Sequence, residues 1–291
     1  MPSYRFKQVD VFTHESFRGN PVAVVFADPE LPARVMQRIA SWTNLSETTF
    51  VLPSEAAGAD YRLRIFHPRE ELPFAGHPSV GSAHAVLEAG LAPTDSSTLH
   101  QDCLAGVIPL RVVATEGAAR RIFVRMPEPG FRPLAAGARD RIAAALGCAP
   151  ADGAPALAVD VGPVWLVVEL SDAEQVRALR PDLAAIAALS TELEVGGVTV
   201  FGRNASGDVA LEVRSFAPAL GIAEDPVCGS GNGSVAAYLF ETGRAQEQQW
   251  IASQGGCLGR EGRVEVRVGG GGREIEVGGP SVTCIEGEIR V

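Results

Sequence analysis

Five side chains in this sequence have both the chemistry and the neighbours to move a proton: Glu47, His77, Asp225, Cys228 and Ser230. Glu47 is a lone acid among apolar and hydroxyl residues, in Asn44-Leu45-Ser46-Glu47-Thr48-Thr49. Desolvation in such surroundings raises a carboxyl pKa, as a general base working near neutrality requires. The plainer reading is a surface or capping glutamate. His77 follows Gly76 at a predicted helix start. There the positive end of the helix dipole disfavours the imidazolium and leaves a neutral ring able to relay a proton. A capping or hydrogen-bonded histidine competes with that reading. Asp225 precedes a proline and reads equally as a turn starter, Ser230 as a simple N-cap, and Cys228 as a small buried filler. At a helix N-terminus, though, the Cys228 thiolate would be stabilised, which a proton-abstracting cysteine needs. Glu70, Glu71 and Glu224 place further acids near the same loops.

The elements that must position these residues are two Gly-rich segments, Gly76-His77-Pro78-Ser79-Val80-Gly81 and Gly229-Ser230-Gly231-Asn232-Gly233-Ser234. Each follows a Phe-x-Pro and opens an apolar helical run. From Gly76 and Gly229 onward the offset is 153 residues, and it carries on to Gln101 and Gln254. Cys103-Leu104 and Cys257-Leu258 follow one residue out of step. A chain of 291 residues that repeats at half its length predicts two copies of one domain. The repeated part is a helix N-terminus, where backbone N–H donors bind small anions. Two such ends facing one another across a cleft suit an enzyme acting on a small carboxylate.

Around the segments, alternation predicts strands over 4–12, 21–26, 48–52 and 61–66, with a helix from Pro32 that buries Val35, Ile39 and Trp42. The second half repeats this order, with a helical stretch over 173–189 broken at Pro181. The turn Gly269-Gly270-Gly271-Gly272 reads as a hairpin turn and not as a phosphate loop. Residues 127–155, rich in Pro, Gly and Ala, contain the transition. The expected domains are 1–118 and 119–280, with a final strand over 281–291 packing back on the first. Each half is then α+β with a mixed sheet.

Composition excludes several classes. A net charge of −10 argues against a nucleic-acid partner, and no window of 18 apolar residues predicts a membrane span. The N-terminus runs straight into a strand pattern without a signal-peptide core, and five scattered cysteines fit a reducing cytoplasm, so a cytoplasmic location is expected. The only lysine is Lys7, at the start of the first strand, which argues against pyridoxal-phosphate or Schiff-base chemistry. With no HExxH, CxxC or His/Cys cluster, no metal is expected. Gly229-x-Gly231-x-Gly233 mimics a dinucleotide loop, but its third glycine is misplaced and no βαβ unit follows, so no cofactor is expected.

Taken together the motifs resemble the phenazine-biosynthesis PhzF family, within the wider diaminopimelate-epimerase-like fold. They are Asp10-Val11-Phe12, Phe17-Arg18-Gly19-Asn20-Pro21-Val22-Ala23-Val24, the segment around Glu47, Glu71-Leu72-Pro73-Phe74-Ala75-Gly76-His77-Pro78, and Arg214-Ser215-Phe216-Ala217-Pro218 continuing to Ser230. The resemblance covers nearly the whole chain. It implies two pseudo-twofold-related domains, each a mixed or antiparallel sheet wrapped round a central helix, with the active site between them. It also implies cofactor-free proton transfer on a small carboxylate by a homodimer. Carried over to this sequence, Glu47 is the acid/base, and His77, Asp225 and Ser230 assist it. Ser46, Gly76, Cys228, Gly229 and Gly231 are expected to contact the substrate, with N–H groups of Gly76, His77, Gly229 and Ser230 receiving its charge. Epimerases of the wider fold use two facing cysteines. Here the first position is Ala75 and only Cys228 remains, where the family usually carries threonine, so two-thiol racemisation is excluded. The expected activity is a 1,3-proton shift or an epimerisation. The alternatives are a one-cysteine epimerase or dehydratase using Cys228, and a non-catalytic small-molecule binding protein.

Overall fold

Alternating and β-branched runs in the first half make the strands of a mixed sheet. In chain order the elements are β1 (Ser3–Val11), β2 (Asn20–Phe26), α1 (Ala33–Thr43), β3 (Thr48–Leu52), β4 (Tyr61–Phe66), β5 (Glu71–Leu72), α2 (Gly76–Glu88), β6 (Thr98–Cys103), β7 (Gly106–Thr115) and β8 (Ala118–Arg125). The computed structural model describes residues 2–115, 118–135 and 137–291. In it the chain divides into two units, Met1–Val124 with Gly278–Val291, and Arg125–Val277.

In the first unit β2 pairs antiparallel with β1 and parallel with β3. β3 and β4 are antiparallel, β4 and β6 parallel, and β6 and β7 antiparallel. α2 packs on β1, β2 and β3 and is buried from His77 to Leu87 except at His84. A helix apolar or small on every side has no solvent face to present, so it becomes the centre of its layer. At its far end Glu88 takes hydrogen bonds from Lys7 (2.7 Å) and Thr283 (2.6 Å). Its carboxyl lies far below the usual range, chiefly through the His84 hydrogen bond, with Lys7 and Thr283 adding to it. Lys7 is thus a buried ion-pair partner.

The second unit repeats the strand pairing with β9 (Gly130–Pro133), α3 (Ala138–Leu146), β10 (Leu157–Asp160), β11 (Val164–Glu169), α4 (Ala173–Ala178), α5 (Leu183–Glu192), β12 (Gly197–Arg203), β13 (Leu211–Ala217), β14 (Ile222–Asp225), α6 (Gly229–Glu241), β15 (Gln249–Gln254) and β16 (Gly262–Gly269), and β17 (Glu274–Arg290) begins in it and belongs to the first unit from Gly278 onward. β11 is antiparallel to β10 and parallel to β12, β13 is antiparallel to β12 and parallel to β15, and β15 is antiparallel to β16. This is the pairing scheme of the first unit, strand for strand. α6 is thirteen residues long, as α2 is, and is buried on nearly every side in the same way. Pro181 separates α4 from α5, and Asp182 caps α5 by accepting from Ala184 and Ala185. β17 is one continuous strand. From Ser281 onward it pairs antiparallel with β1, as far as Arg290 opposite Ser3.

Local devices repeat as well. Asp10 Oδ2 accepts from Gly19 N–H at 3.2 Å, and Asp160 Oδ1 from Gly162 N–H at 2.9 Å. Arg64 grips Glu71 with both arms of its guanidinium, at 2.8 and 2.7 Å, and Arg214 grips Glu224 at 2.9 and 2.8 Å. Bidentate pairs of this kind fix direction as well as distance. Each joins the strand before the loop to the segment that leads into the Gly-rich helix. One helix face differs from expectation: α1 buries Met36, Ile39 and Ala40, while Trp42 is 79% exposed. The stripe at i, i+3, i+4 packs on Phe50, Leu52 and Phe66, and Trp42 falls outside it in the last turn. Among the described residues no helix is long and apolar enough to cross a membrane.

Candidate active site

Glu47 lies in the corner between α1 and β3. Asn44 ends the helix in the left-handed conformation, with its N–H donating to Ala40 O. Thr43 Oγ1 and Thr48 Oγ1, 2.7 Å apart, clamp the two ends of the corner. Ser46 stands in the same corner, half-buried. The Glu47 side chain is 13% exposed, and its Oε2 lies 3.3 Å from His77 Nδ1. His77 occupies the second position of α2 and is buried. Burial pushes its imidazole down to about 4, against the opposing pull of the Pro21 carbonyl. The ring is therefore neutral at pH 7, as expected, but desolvation is the main cause. Nδ1 faces the Glu47 carboxylate, whereas Nε2 is buried without a hydrogen-bond partner.

The start of α2 is held from behind. Ser79 Oγ donates to Ala75 O (2.8 Å), Gln101 Nε2 donates to Ser79 Oγ (3.0 Å), and Tyr61 OH donates to Gln101 Oε1 (3.2 Å). Ser79 N–H goes to Ala75 O, and Pro78 has no N–H. The N–H groups of Gly76 and His77 alone remain at the helix mouth, without a protein acceptor among the described residues.

A second cluster of candidate residues is built at the start of α6. Asp225 ends β14 and accepts from Val227 N–H at 3.0 Å. Burial raises its carboxyl to about 6, with Glu224 adding to the effect, while the Val227 and Cys228 hydrogen bonds oppose it. Cys228 is the N-cap of α6, and its Sγ accepts from Gly231 N–H at 3.3 Å. Burial, reinforced by the Asp225 charge, pushes the Cys228 thiol far up. This corrects the expectation of a stabilised thiolate: desolvation outweighs the helix end. The Gly231 N–H is likewise already engaged. Glycine is required there because a Cβ would lie 2.5 Å from Ser215 Oγ. Gly229 and Ser230 keep N–H groups without a protein acceptor among the described residues. Gln254 pins this start: Oε1 accepts from Cys228 N–H (3.1 Å) and Asn232 Nδ2 (3.0 Å), and Nε2 donates to Asp225 O (3.1 Å).

Two acids near these loops are structural, because Glu71 and Glu224 are spent in the arginine forks. One contact escaped the sequence reading: Trp165 Nε1 donates to Ser230 Oγ at 3.0 Å. Spacing gave no signal for it, since the two lie 65 residues apart on different elements. Among the described residues no three His, Cys, Asp or Glu side chains gather to hold a metal ion.

The chain matches the PhzC-PhzF family, phenazine biosynthesis-like protein, over residues 9–287. It is 39% identical over 295 residues to antisense-enhancing sequence 1 of Schizosaccharomyces pombe, covering 99% of each chain. It is 34% identical over 288 residues to the trans-2,3-dihydro-3-hydroxyanthranilate isomerase of Pseudomonas aeruginosa, covering 98% of each. The crystal structure of a Bacillus anthracis phenazine biosynthesis protein of the PhzF family superimposes with a TM-score of 0.89 at 26% identity, covering 100% of both chains. With the family match running almost end to end and the fold reproduced throughout, the chain belongs to the PhzC-PhzF family and is an enzyme of the isomerase class.

Proposed function

We propose that this enzyme moves a proton between carbons of a small carboxylate substrate without a cofactor, with Glu47 as the acid/base and His77, Asp225 and Ser230 assisting. The observation that carries the reading is the Glu47 carboxylate held 3.3 Å from a buried, neutral imidazole at a helix mouth that offers two N–H donors. Glu47 takes a proton from an acidified C–H, the electron pair moves into the π system, and the carboxyl, its proton exchanged with solvent, protonates the new carbon. Charge that develops on the substrate carboxylate is received by N–H groups of Gly76, His77, Gly229 and Ser230. Asp225, whose carboxyl burial raises to about 6, can donate a hydrogen bond to that charge only below that pH, and above it serves as an acceptor.

The first substrate to test is the one in the relative's name, trans-2,3-dihydro-3-hydroxyanthranilate. Incubation in deuterated water should give product labelled at the new C–H. The Glu47→Gln variant should lose about 10³-fold in rate, within the usual worth of a positioned general base. Exchange at the wild-type rate in that variant removes Glu47 from the role. The same reading makes the enzyme a cytoplasmic homodimer, for which light scattering should return twice the chain mass of 30.5 kDa.

A further inference from the structure

The strand registers place Trp165 and Gly197 at positions with known counterparts in the first unit. Thr48 pairs with Phe66 and Val198 with Phe216, so Gly197 stands where the first unit has Glu47. Val9 pairs with Val22 and Val159 with Trp165, so Trp165 stands where the first unit has Val22. Ser230, second in α6, stands where the first unit has His77. The acid has become glycine and its strand neighbour has become an indole. A Cβ on Gly197 would lie 2.7 Å from Trp165 Cζ3 and 2.3 Å from Phe216 O, so the ring takes up room that a side chain there would need. In both units the second residue of the central helix meets a polar partner, from the corner before β3 in the first and from β11 in the second. In one unit it is a carboxylate, in the other an indole N–H.

That difference has a direction. An indole N–H can only donate, so Ser230 Oγ must accept from Trp165 and its own proton must point elsewhere. Among the described residues a protein partner for it is Cys228 Sγ, at 3.5 Å, a weak acceptor that already receives Gly231 N–H. We propose that Trp165 is a positioning residue: it occupies one lone pair of the Ser230 oxygen and leaves the hydroxyl proton to be donated toward substrate oxygen. The inference rests on the isomerase reading of Ser230 and names a residue through which that serine acts. Trp165 is itself buried, 6% exposed, so its effect passes through the hydroxyl.

The test combines a kinetic cycle with a readout that needs no turnover. With trans-2,3-dihydro-3-hydroxyanthranilate, Trp165→Phe should lower kcat about tenfold with KM within about twofold, a loss of roughly 1.4 kcal/mol in the transition state. In a Ser230→Ala background Trp165→Phe should cost nothing further. A wild-type kcat in Trp165→Phe, or losses that multiply in the double variant, overturns the proposal. A fold defect alone would not produce this non-additivity. The indole ¹⁵N spectrum, with resonances from three tryptophans, is recorded on wild-type and Ser230→Ala protein with anthranilate as the probe. The Trp165 Nε1–H signal should move on loss of the serine hydroxyl, and its response to anthranilate should disappear. An unmoved signal, or the same response in both proteins, overturns it. If wild-type protein exchanges no deuterium, the isomerase reading fails and the spectra decide Trp165 by themselves, without any variant at position 165.

Discussion

The starts of α2 and α6 share a frame and differ in their contents. Behind each lies a buried glutamine, Gln101 or Gln254, and leading into each is a strand tied by an arginine–glutamate fork. In both, the third N–H of the helix is removed from use: Pro78 has none, and Gly231 gives its own to Cys228. Two donors remain at each mouth. The side chains at the mouths do not match. One has Ala75, His77 and Glu47; the other has Cys228, Ser230, Asp225 and, in place of Glu47, Gly197. A duplicated scaffold has kept two free N–H donors at each helix start and given them different side chains, so substitutions at matching positions should fail in different ways.

The sharpest contrast is at the matched pair Glu47 and Gly197. Glu47→Ala should abolish proton exchange and shift the urea midpoint little. Gly197→Ala, with its Cβ 2.3 Å from the Phe216 carbonyl, should destabilise by about 3 kcal/mol through overpacking. If Gly197→Ala is neutral in a urea melt, the close approach of the Trp165 ring is not what excludes a side chain there.

Next comes titration, where the halves oppose each other. His77 has its pKa depressed to about 4, so its contribution is complete above the ordinary histidine value and is lost as pH falls through 4. Asp225 has its pKa raised to about 6, so its contribution is complete below the ordinary aspartate value and is lost as pH rises through 6. Between pH 4 and 6 the two largely cancel. His77→Gln should reveal the Asp225 limb, with stability falling by about 2 kcal/mol from pH 4 to 6. Asp225→Asn should reveal the His77 limb, with stability rising by about 3 kcal/mol from pH 4 to 6.5. Urea melts across this range check both, and parallel profiles for the two variants would break the opposition.

The smallest effects concern the caps. Cys228→Ala should cost about 1 kcal/mol by leaving Gly231 N–H without its acceptor, and Cys228→Ser should keep the exchange rate within about threefold if Glu47, as proposed, is the base. Ala75→Cys should change stability by less than about 0.5 kcal/mol, since Pro78 offers no N–H for a new thiol to accept. An Ala75→Cys variant that gains a cap's worth of stability would show that the mouths are more alike than their bonds indicate.

The duplication was legible because glycine, proline and glutamine recur at one offset, and β3 and β4 fall on the residues where alternation placed them. Glu47 and His77 were visible as chemistry, and their closeness needed the fold. What stayed hidden involves competition between effects or long-range geometry. A helix end suggests a stabilised thiolate at Cys228, but burial depth, which decides the sign, is not written in local sequence. Glu71 and Glu224 read as available acids until Arg64 and Arg214 are seen across the strands, although an arginine a few residues upstream in both copies was a usable signal. Trp165 reads as one more core residue of a β-branched run, and only the register sets its N–H against Ser230. Trp42 was assigned to a buried face because apolar spacing cannot tell a stripe from its edge.

Gln254 carries a consequence for dynamics. Its amide accepts the N–H of Cys228, so the backbone proton at the mouth of α6 is sealed by a side chain from β15, a strand interior to the sheet of its unit. That proton can exchange with solvent only when the strand lets go. Hydrogen exchange at Cys228 should therefore follow the opening of β15 and not the fraying of a loop, and it would measure how firmly the sheet holds the turn that starts α6.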